Sequence, residues 1–201
     1  RCSDPGVRLR IEDADPAAAP APLAPASREA ILSLLRLIPL GVYRFSQTDE
    51  LIKTPYGEIL VETSCNLGIM EMKESAVVLT LLARGSTNSV LDDLLERISA
   101  LTSLCGGSLK ETNRTPGWEM PKSPTRVRRL FQEQGLVCKG VHAGLECGCL
   151  VEIFARAGRN LDAVAVGPDL KEVHSPKERL HTGSVLTLWR QLVAVLSSLE
   201  N

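Results

Sequence analysis

Residues 59–83 read ILVETSCNLGIMEMKESAVVLTLLA, which is two apolar stretches separated by a short polar turn. The first stretch, residues 59–72, has apolar side chains at Ile59, Val61, Leu67, Ile69 and Met70. The second, residues 76–83, is an almost continuous apolar run, and Lys73-Glu74-Ser75 joins the two. Two such runs around a short polar turn are typical of a β-hairpin. The sequence therefore predicts that the two stretches pair as antiparallel strands.

Helical patterns flank this hairpin. Upstream, Ser27 is placed to cap a helix whose apolar residues recur at helical spacing as far as Ile38. Downstream, residues 89–104 carry an apolar face, and Gly106-Gly107 ends that helix. Three further predictions complete this part of the chain: a strand over residues 7–11, a surface loop over residues 14–26 and an edge strand over residues 108–112.

The composition changes at residues 120–124, Met-Pro-Lys-Ser-Pro, which we interpret as a domain boundary. Beyond it the pattern predicts, in order, a helix over 125–134, a strand over 136–141, a helix over 145–155, a strand over 161–166, a loop over 167–180 and a final helix ending near Leu199. Alternating helices and strands imply a layered α/β unit with a largely parallel sheet. The predicted fold class is α/β, with domains over residues 1–121 and 122–201.

The composition narrows the possible partners. The chain has 201 residues, 44% of them hydrophobic, and a formal net charge of −1. A near-neutral chain without a basic block has no electrostatic footprint for nucleic acid, and no apolar run approaches the roughly 20 residues of a membrane span. We therefore expect neither nucleic acid nor membrane as a partner. Since the chain begins at Arg1 without a signal pattern, we expect that it starts inside a longer protein or has been trimmed.

The six cysteines are irregularly spaced and include no CxxC pair, which argues against a structural zinc site. We interpret them as buried or idle thiols in a reducing, cytoplasmic compartment. Two tryptophans, Trp118 and Trp189, are interpreted as core anchors.

Two side chains stand at the ends of predicted strands. His174 lies in the loop after residues 161–166, and such loops are where α/β proteins place ligands. A neutral imidazole there suits zinc, although a lone histidine is more often an ordinary surface residue. Arg84 follows the apolar run of the hairpin, and its planar guanidinium can pair a carboxylate through two hydrogen bonds. The alternative for Arg84 is an arginine that caps a strand end at the surface.

Residues 141–148 read VHAGLECG and form a third candidate region. Gly144 would let the backbone approach a ligand closely, and Glu146 could order His142 or bind an amino group. The alternative is a strand-to-helix turn whose glycine serves the bend alone. Asn66 could donate to a carbonyl group, although a strand asparagine more often ties down a neighbouring loop.

Several short segments match one family in a single order along the chain. They are Thr63-Ser64-Cys65-Asn66-Leu67-Gly68, Leu82-Ala83-Arg84-Gly85-Ser86, Pro116-Gly117-Trp118-Glu119, residues 141–148, Gly167-Pro168-Asp169 and Val173-His174-Ser175-Pro176 with Glu178-Arg179. Together these segments resemble the C-terminal portion of the aminoacyl-histidine dipeptidases, a family of carnosinase-like zinc metallopeptidases. Residues 141–148 and 174–179 are the specific part of the resemblance.

The resemblance implies a fold and a chemistry. Residues 1–121 would form part of a two-layer α/β lid that mediates dimerisation, and residues 122–201 would form the C-terminal part of a three-layer α/β/α catalytic domain. His174 would be one terminal ligand of a two-zinc site, and Arg84, His142, Gly144, Glu146 and Asn66 would lie in the substrate pocket. The other metal ligands and the general base would come from an N-terminal half that this sequence does not contain. We therefore expect no catalytic residue in this chain and no activity from it alone.

The expected whole protein is a zinc-dependent dipeptidase, acting on Xaa-His or on dipeptides in general, and a homodimer through its lid. Two departures from the family pattern are Lys177 in place of Asp and Gly85 in place of Ser. They support an alternative, a non-catalytic dimerisation or interaction module derived from the lid. A third hypothesis is a mononuclear metal site built from His142, His174 and Cys147, although their spacing fits no compact ligand pattern.

Overall fold

The computed structural model describes residues 22–46, 60–73, 75–119, 121 and 123–199, together with Arg10, Asp13 and Asp15. Its elements are, in order, α1 Pro25–Leu37, β1 Gly41–Ser46, β2 Leu60–Met72, β3 Val77–Gly85, α2 Asn88–Leu104, α3 Arg126–Glu133, α4 Glu146–Arg156, β4 Leu170–Lys171, β5 Arg179–Leu180 and α5 Thr182–Leu199. Apart from Arg10, the predicted strand over residues 7–11 lies outside the described residues, as does most of the predicted loop over residues 14–26.

The predicted hairpin is confirmed. Strands β2 and β3 pair antiparallel, from Met72 opposite Val77 to Thr63 opposite Gly85, with an irregularity between Leu67 and Ile69. Strand β1 pairs antiparallel with the other edge of β2, which gives a three-stranded sheet in the order β1-β2-β3. The sequence did not predict β1. Gly41 opens this strand with a φ of 85°.

Helix α2 packs on one face of this sheet. The core joins Ile38, Cys65, Leu94 and Ile98, all less than 10% exposed. Thr87 caps α2, since its side chain accepts a hydrogen bond from the Val90 backbone N–H. The predicted Ser27 cap of α1 is wrong. That helix begins at Pro25 without a side-chain cap. Proline suits the first helical position because its φ is already helical and its missing N–H would have no partner within the helix.

The three helices predicted after residue 124 are confirmed as α3, α4 and α5. Helices α3 and α5 pack together, and each has one buried apolar residue, Phe131 on α3 and Val195 on α5. Trp189 is 63% exposed, so its predicted role as a core anchor is wrong, whereas Trp118 is half-buried. No helix in the described ranges is long and apolar enough to cross a lipid bilayer.

The predicted strands over residues 108–112, 136–141 and 161–166 do not form. The only strand pairing among the described residues after 124 is the two-residue antiparallel ladder of β4 with β5. The predicted parallel sheet is therefore wrong for this part of the chain. An apolar run gives a segment a tendency to be buried, but a strand also needs a neighbouring strand to accept and donate its hydrogen bonds. The α/β fold class holds, with antiparallel rather than parallel pairing.

Candidate functional site

One face of the three-stranded sheet is turned away from α2. Thr63 and Cys65 are 0% and 1% exposed, so they point into the core. Because side chains alternate along a strand, Ser64 and Asn66 lie on the opposite face. Arg84 stands directly opposite Ser64 in the β2–β3 register. Two predicted substrate residues, Asn66 and Arg84, therefore share this face, and both are exposed.

The loop before α4 lies against the same face. The His142 Nε2 atom is 2.7 Å from the Ser64 Oγ atom, although the two residues are 78 apart in sequence. A Cβ atom at Gly144 would lie 3.3 Å from the Arg84 Nη1 atom and 3.4 Å from the Thr115 Cγ2 atom. The structure thus brings Arg84, His142 and Gly144 together. Sequence reasoning did not single out Ser64 and Thr115, although Ser64 lies inside a motif that it quoted.

A turn at residues 115–118 supports this arrangement. The Gly117 backbone N–H donates to the Asn88 Oδ1 atom over 3.2 Å. On the other side of the turn, a Cβ at Gly148 would lie 3.1 Å from the Pro116 carbonyl oxygen and 3.2 Å from the Trp118 Cβ atom. Gly148 is buried in the first turn of α4. The turn therefore contacts both the start of α2 and the first turn of α4, which follows the loop that carries His142.

The electrostatics of the site favour a neutral imidazole. Desolvation by burial lowers the pKa of His142 below its ordinary value of 6.5, and the positive charge of Arg84 lowers it further. A hydrogen-bonding contribution from the Val61 backbone acts in the opposite direction. Near pH 7 the ring is uncharged, with one nitrogen that donates and one that accepts. Arg84 is then the cation of the site.

A guanidinium and a neutral imidazole on an open sheet face can bind a carboxylate. The arginine fork donates two parallel hydrogen bonds, and the absence of a side chain at Gly144 leaves its backbone free to approach the same group. The predicted partner of His142, Glu146, does not hold it, since the hydrogen bond comes from Ser64. Glu146 is exposed in the first turn of α4, where a carboxylate complements the helix dipole.

His174 lies in a separate loop between β4 and β5. It is exposed and has a φ of 63°, and Glu172 in the same loop has a φ of 53°. The loop is fixed by its own contacts: the His174 N–H donates to the Glu178 Oε2 atom over 3.0 Å, and Arg179 pairs Glu172 at 2.6 Å. Lys177 is exposed there, and its backbone N–H donates to the Ser175 hydroxyl. The imidazole is accessible to a ligand.

The described part of the chain brings no three His, Cys, Asp or Glu side chains close enough to hold a metal ion. The mononuclear site of His142, His174 and Cys147 is therefore wrong. His174 alone is a suitable donor for zinc, but a closed zinc site needs about four ligands. The described residues thus offer a single imidazole, which by itself does not make a metal site.

Two known proteins are similar to this chain, one by its sequence and one by its structure. The chain is 31% identical over 180 residues to the cytosol non-specific dipeptidase of Escherichia coli K12, a match that covers 86% of this chain. The chain is homologous to dipeptidases. Its structure also matches the aminoacylhistidine dipeptidase of Vibrio alginolyticus, with a TM-score of 0.67 and 29% identity over 87% of this chain. No family model matches the sequence. The chain spans 34% of the length of each of these dipeptidases.

Proposed function

We propose that this chain is part of a zinc-dependent dipeptidase, and that its exposed sheet face binds the C-terminal carboxylate of a dipeptide. The observation that carries the proposal is the convergence of Arg84, His142 and Gly144 on the face opposite α2. A dipeptidase must recognise a free carboxylate near the bond that it cleaves, and this face offers a cation with few obstructing side chains. The relationship to two dipeptidases supports the same reaction class.

The roles of the residues follow from their chemistry. Arg84 would pair the carboxylate through its fork, and a hydrogen bond to a charged group contributes about 1.5–3 kcal/mol. The neutral His142 ring would donate or accept one further hydrogen bond without competing for the positive charge. Asn66, on the same face, would donate its amide to a carbonyl oxygen. Glu146 would bind the substrate's amino group.

The metal would be held in part by His174. Two zinc ions, when bound, would polarise the peptide carbonyl and lower the pKa of a water molecule. The contribution of this chain is an exposed imidazole on a loop braced by the Glu172–Arg179 pair. The remaining ligands and the general base would lie outside residues 1–201, so we propose that the chain has no peptidase activity alone.

A chimera tests this proposal. The chain would replace the matching third of the E. coli cytosol non-specific dipeptidase, and dipeptide hydrolysis would be measured with and without zinc. We expect zinc-dependent hydrolysis that His174→Ala reduces by at least about 100-fold, since loss of a metal ligand removes the activated water. His181→Ala is the matched control, because His181 is exposed beside the same hairpin. A folded chimera in which His174→Ala retains full turnover would refute the metal role.

We also propose that the protein is a cytoplasmic homodimer that pairs through the lid portion. Support comes from β3, a nine-residue strand whose outer edge pairs with no other described strand, and from exposed apolar side chains on the same sheet. They include Phe45, Ile69, Met70, Met72 and Leu82. Exposed edges and apolar patches favour association.

The same observation supports the alternative of a non-catalytic interaction module. Sedimentation of the chain distinguishes a dimer from a monomer, and the chimera assay distinguishes the enzyme from the module.

A further inference from the structure

The Ser64 hydroxyl makes a contact that is unusual for a strand residue on the exposed face of a sheet. Its neighbours Thr63 and Cys65 point into the core, so Ser64 points away from it, beside Arg84 on β3. A serine in this position would normally be hydrated by water. Here its Oγ atom lies 2.7 Å from the His142 Nε2 atom, in a half-buried contact between the sheet and the loop before α4.

This contact holds the His142 ring together with a hydrogen bond to the Val61 backbone. Burial and Arg84 keep the ring neutral at pH 7, so its two nitrogens have different roles, and the partner of each nitrogen selects the tautomer. The charged group that acts on the ring is Arg84 on β3. Among the described residues, the side-chain hydrogen bond to the ring comes from Ser64, not from a carboxylate.

The same contact also sets the spacing between Gly144 and Arg84. Gly144 follows His142 by two residues, and its position leaves only 3.3 Å between an added Cβ atom and the Arg84 Nη1 atom. Ser64 and Arg84 are opposite one another in the strand register. Fixing the ring on Ser64 therefore fixes the loop against the guanidinium.

We propose that Ser64 is a positioning residue, which holds the His142 imidazole in one tautomer and orientation beside Arg84 so that both meet the substrate carboxylate. This role rests on the proposed function of the sheet face. It is distinct from a serine–histidine nucleophilic pair. Such a pair needs an imidazole that readily takes up a proton, and the neighbouring Arg84 disfavours the imidazolium.

The test uses the full chain labelled with 15N-histidine. The chain has three histidines, and His142→Gln assigns the resonance in long-range 1H–15N spectra. We expect one dominant neutral tautomer for His142 in the wild type and averaged nitrogen shifts in Ser64→Ala. Thr80→Ala is the matched control, since it removes an exposed hydroxyl from the same sheet and should leave the His142 shifts unchanged. Unchanged His142 shifts in Ser64→Ala would overturn the proposal.

A second pair of variants keeps the test decisive if Ser64→Ala does not fold. Ser64→Thr keeps the hydroxyl, whereas Ser64→Val introduces a side chain with the volume of threonine but without the hydroxyl. Ser64→Thr should retain the wild-type His142 tautomer, and Ser64→Val should lose it. Equal spectra for these two variants would likewise refute the proposal.

A dipeptide titration separates this role from the proposed function. If the dipeptide shifts the His142 resonance, Ser64→Ala should weaken its binding by about 2- to 10-fold, the value of one hydrogen bond. In another outcome, Ser64→Ala averages the His142 nitrogen shifts, but no dipeptide at millimolar concentration shifts the His142 resonance. The positioning contact is then upheld and the proposed substrate is refuted.

Discussion

Replacing Gly117 with alanine should destabilise the protein through a steric clash at the turn that supports the site. An added Cβ would lie 2.6 Å from the Ser86 carbonyl carbon and oxygen and 2.6 Å from the Thr87 Cα atom. All three are backbone atoms at the start of α2, which cannot rotate away as a flexible side chain can. The φ of Gly117 is not in the left-handed region, so the effect is one of space alone. Overpacking of this kind costs about 1–3 kcal/mol.

The measurement is chemical and thermal unfolding of the wild type, Gly117→Ala and a control. For a domain of this size, about 1–3 kcal/mol corresponds to a decrease in Tm of about 2 to 12 °C. Gly167→Ala is the control, because a Cβ there meets nothing within 4 Å, and its stability should stay within about 0.5 kcal/mol of the wild type. A Gly117→Ala protein as stable as Gly167→Ala would refute the packing of this turn against the start of α2.

Three further predictions concern the site and the core. The pKa of His142 is lowered in the folded protein, so the unfolded chain takes up the proton more readily. The free energy of unfolding should therefore fall as the pH drops below about 6.5. His142→Gln should flatten that decrease in denaturation curves recorded between about pH 5 and 8. Burial raises the pKa of the Cys65 thiol, so mass spectrometry should show iodoacetamide modifying exposed Cys149 well before Cys65; equal rates would contradict the buried position of Cys65. Arg84→Lys keeps the charge but loses the fork, so calorimetry should show dipeptide binding weakened by about 10-fold, with Arg84→Gln weaker still; unaltered affinity would exclude the paired carboxylate.

The elements that could be predicted from the sequence are those defined by local patterns. The β2–β3 hairpin has its two apolar runs and its turn within one stretch, and α2 has an apolar face that includes its buried residues Leu94 and Ile98. Strand β1 was missed because an edge strand with mostly exposed side chains leaves little hydrophobic pattern. The strands expected over residues 136–141 and 161–166 failed for the opposite reason, since their apolar pattern is present and their pairing partners are not among the described residues.

In the candidate site, too, local patterns could be predicted from the sequence and tertiary contacts could not. Arg84 and His142 were chosen separately, each for its own chemistry. What joins them is the strand register that places Ser64 opposite Arg84 and a contact across 78 residues between Ser64 and His142. Register and long-range contact depend on tertiary packing, which no local pattern encodes. The motif around Ser64 was visible in the sequence, but nothing in it indicated that the serine, rather than Glu146, would hold the imidazole.

The central claim is that the sheet face carrying Arg84 and His142 recognises a free carboxylate. The most direct test is to compare the affinity of the full chain for a dipeptide with its affinity for the same dipeptide amidated at its C-terminus, using calorimetry or NMR titration. Loss of one charge-assisted hydrogen bond should weaken binding of the amide by about 10- to 100-fold, and Arg84→Gln should abolish the difference. Equal affinities for the two ligands in the wild type would contradict the claim.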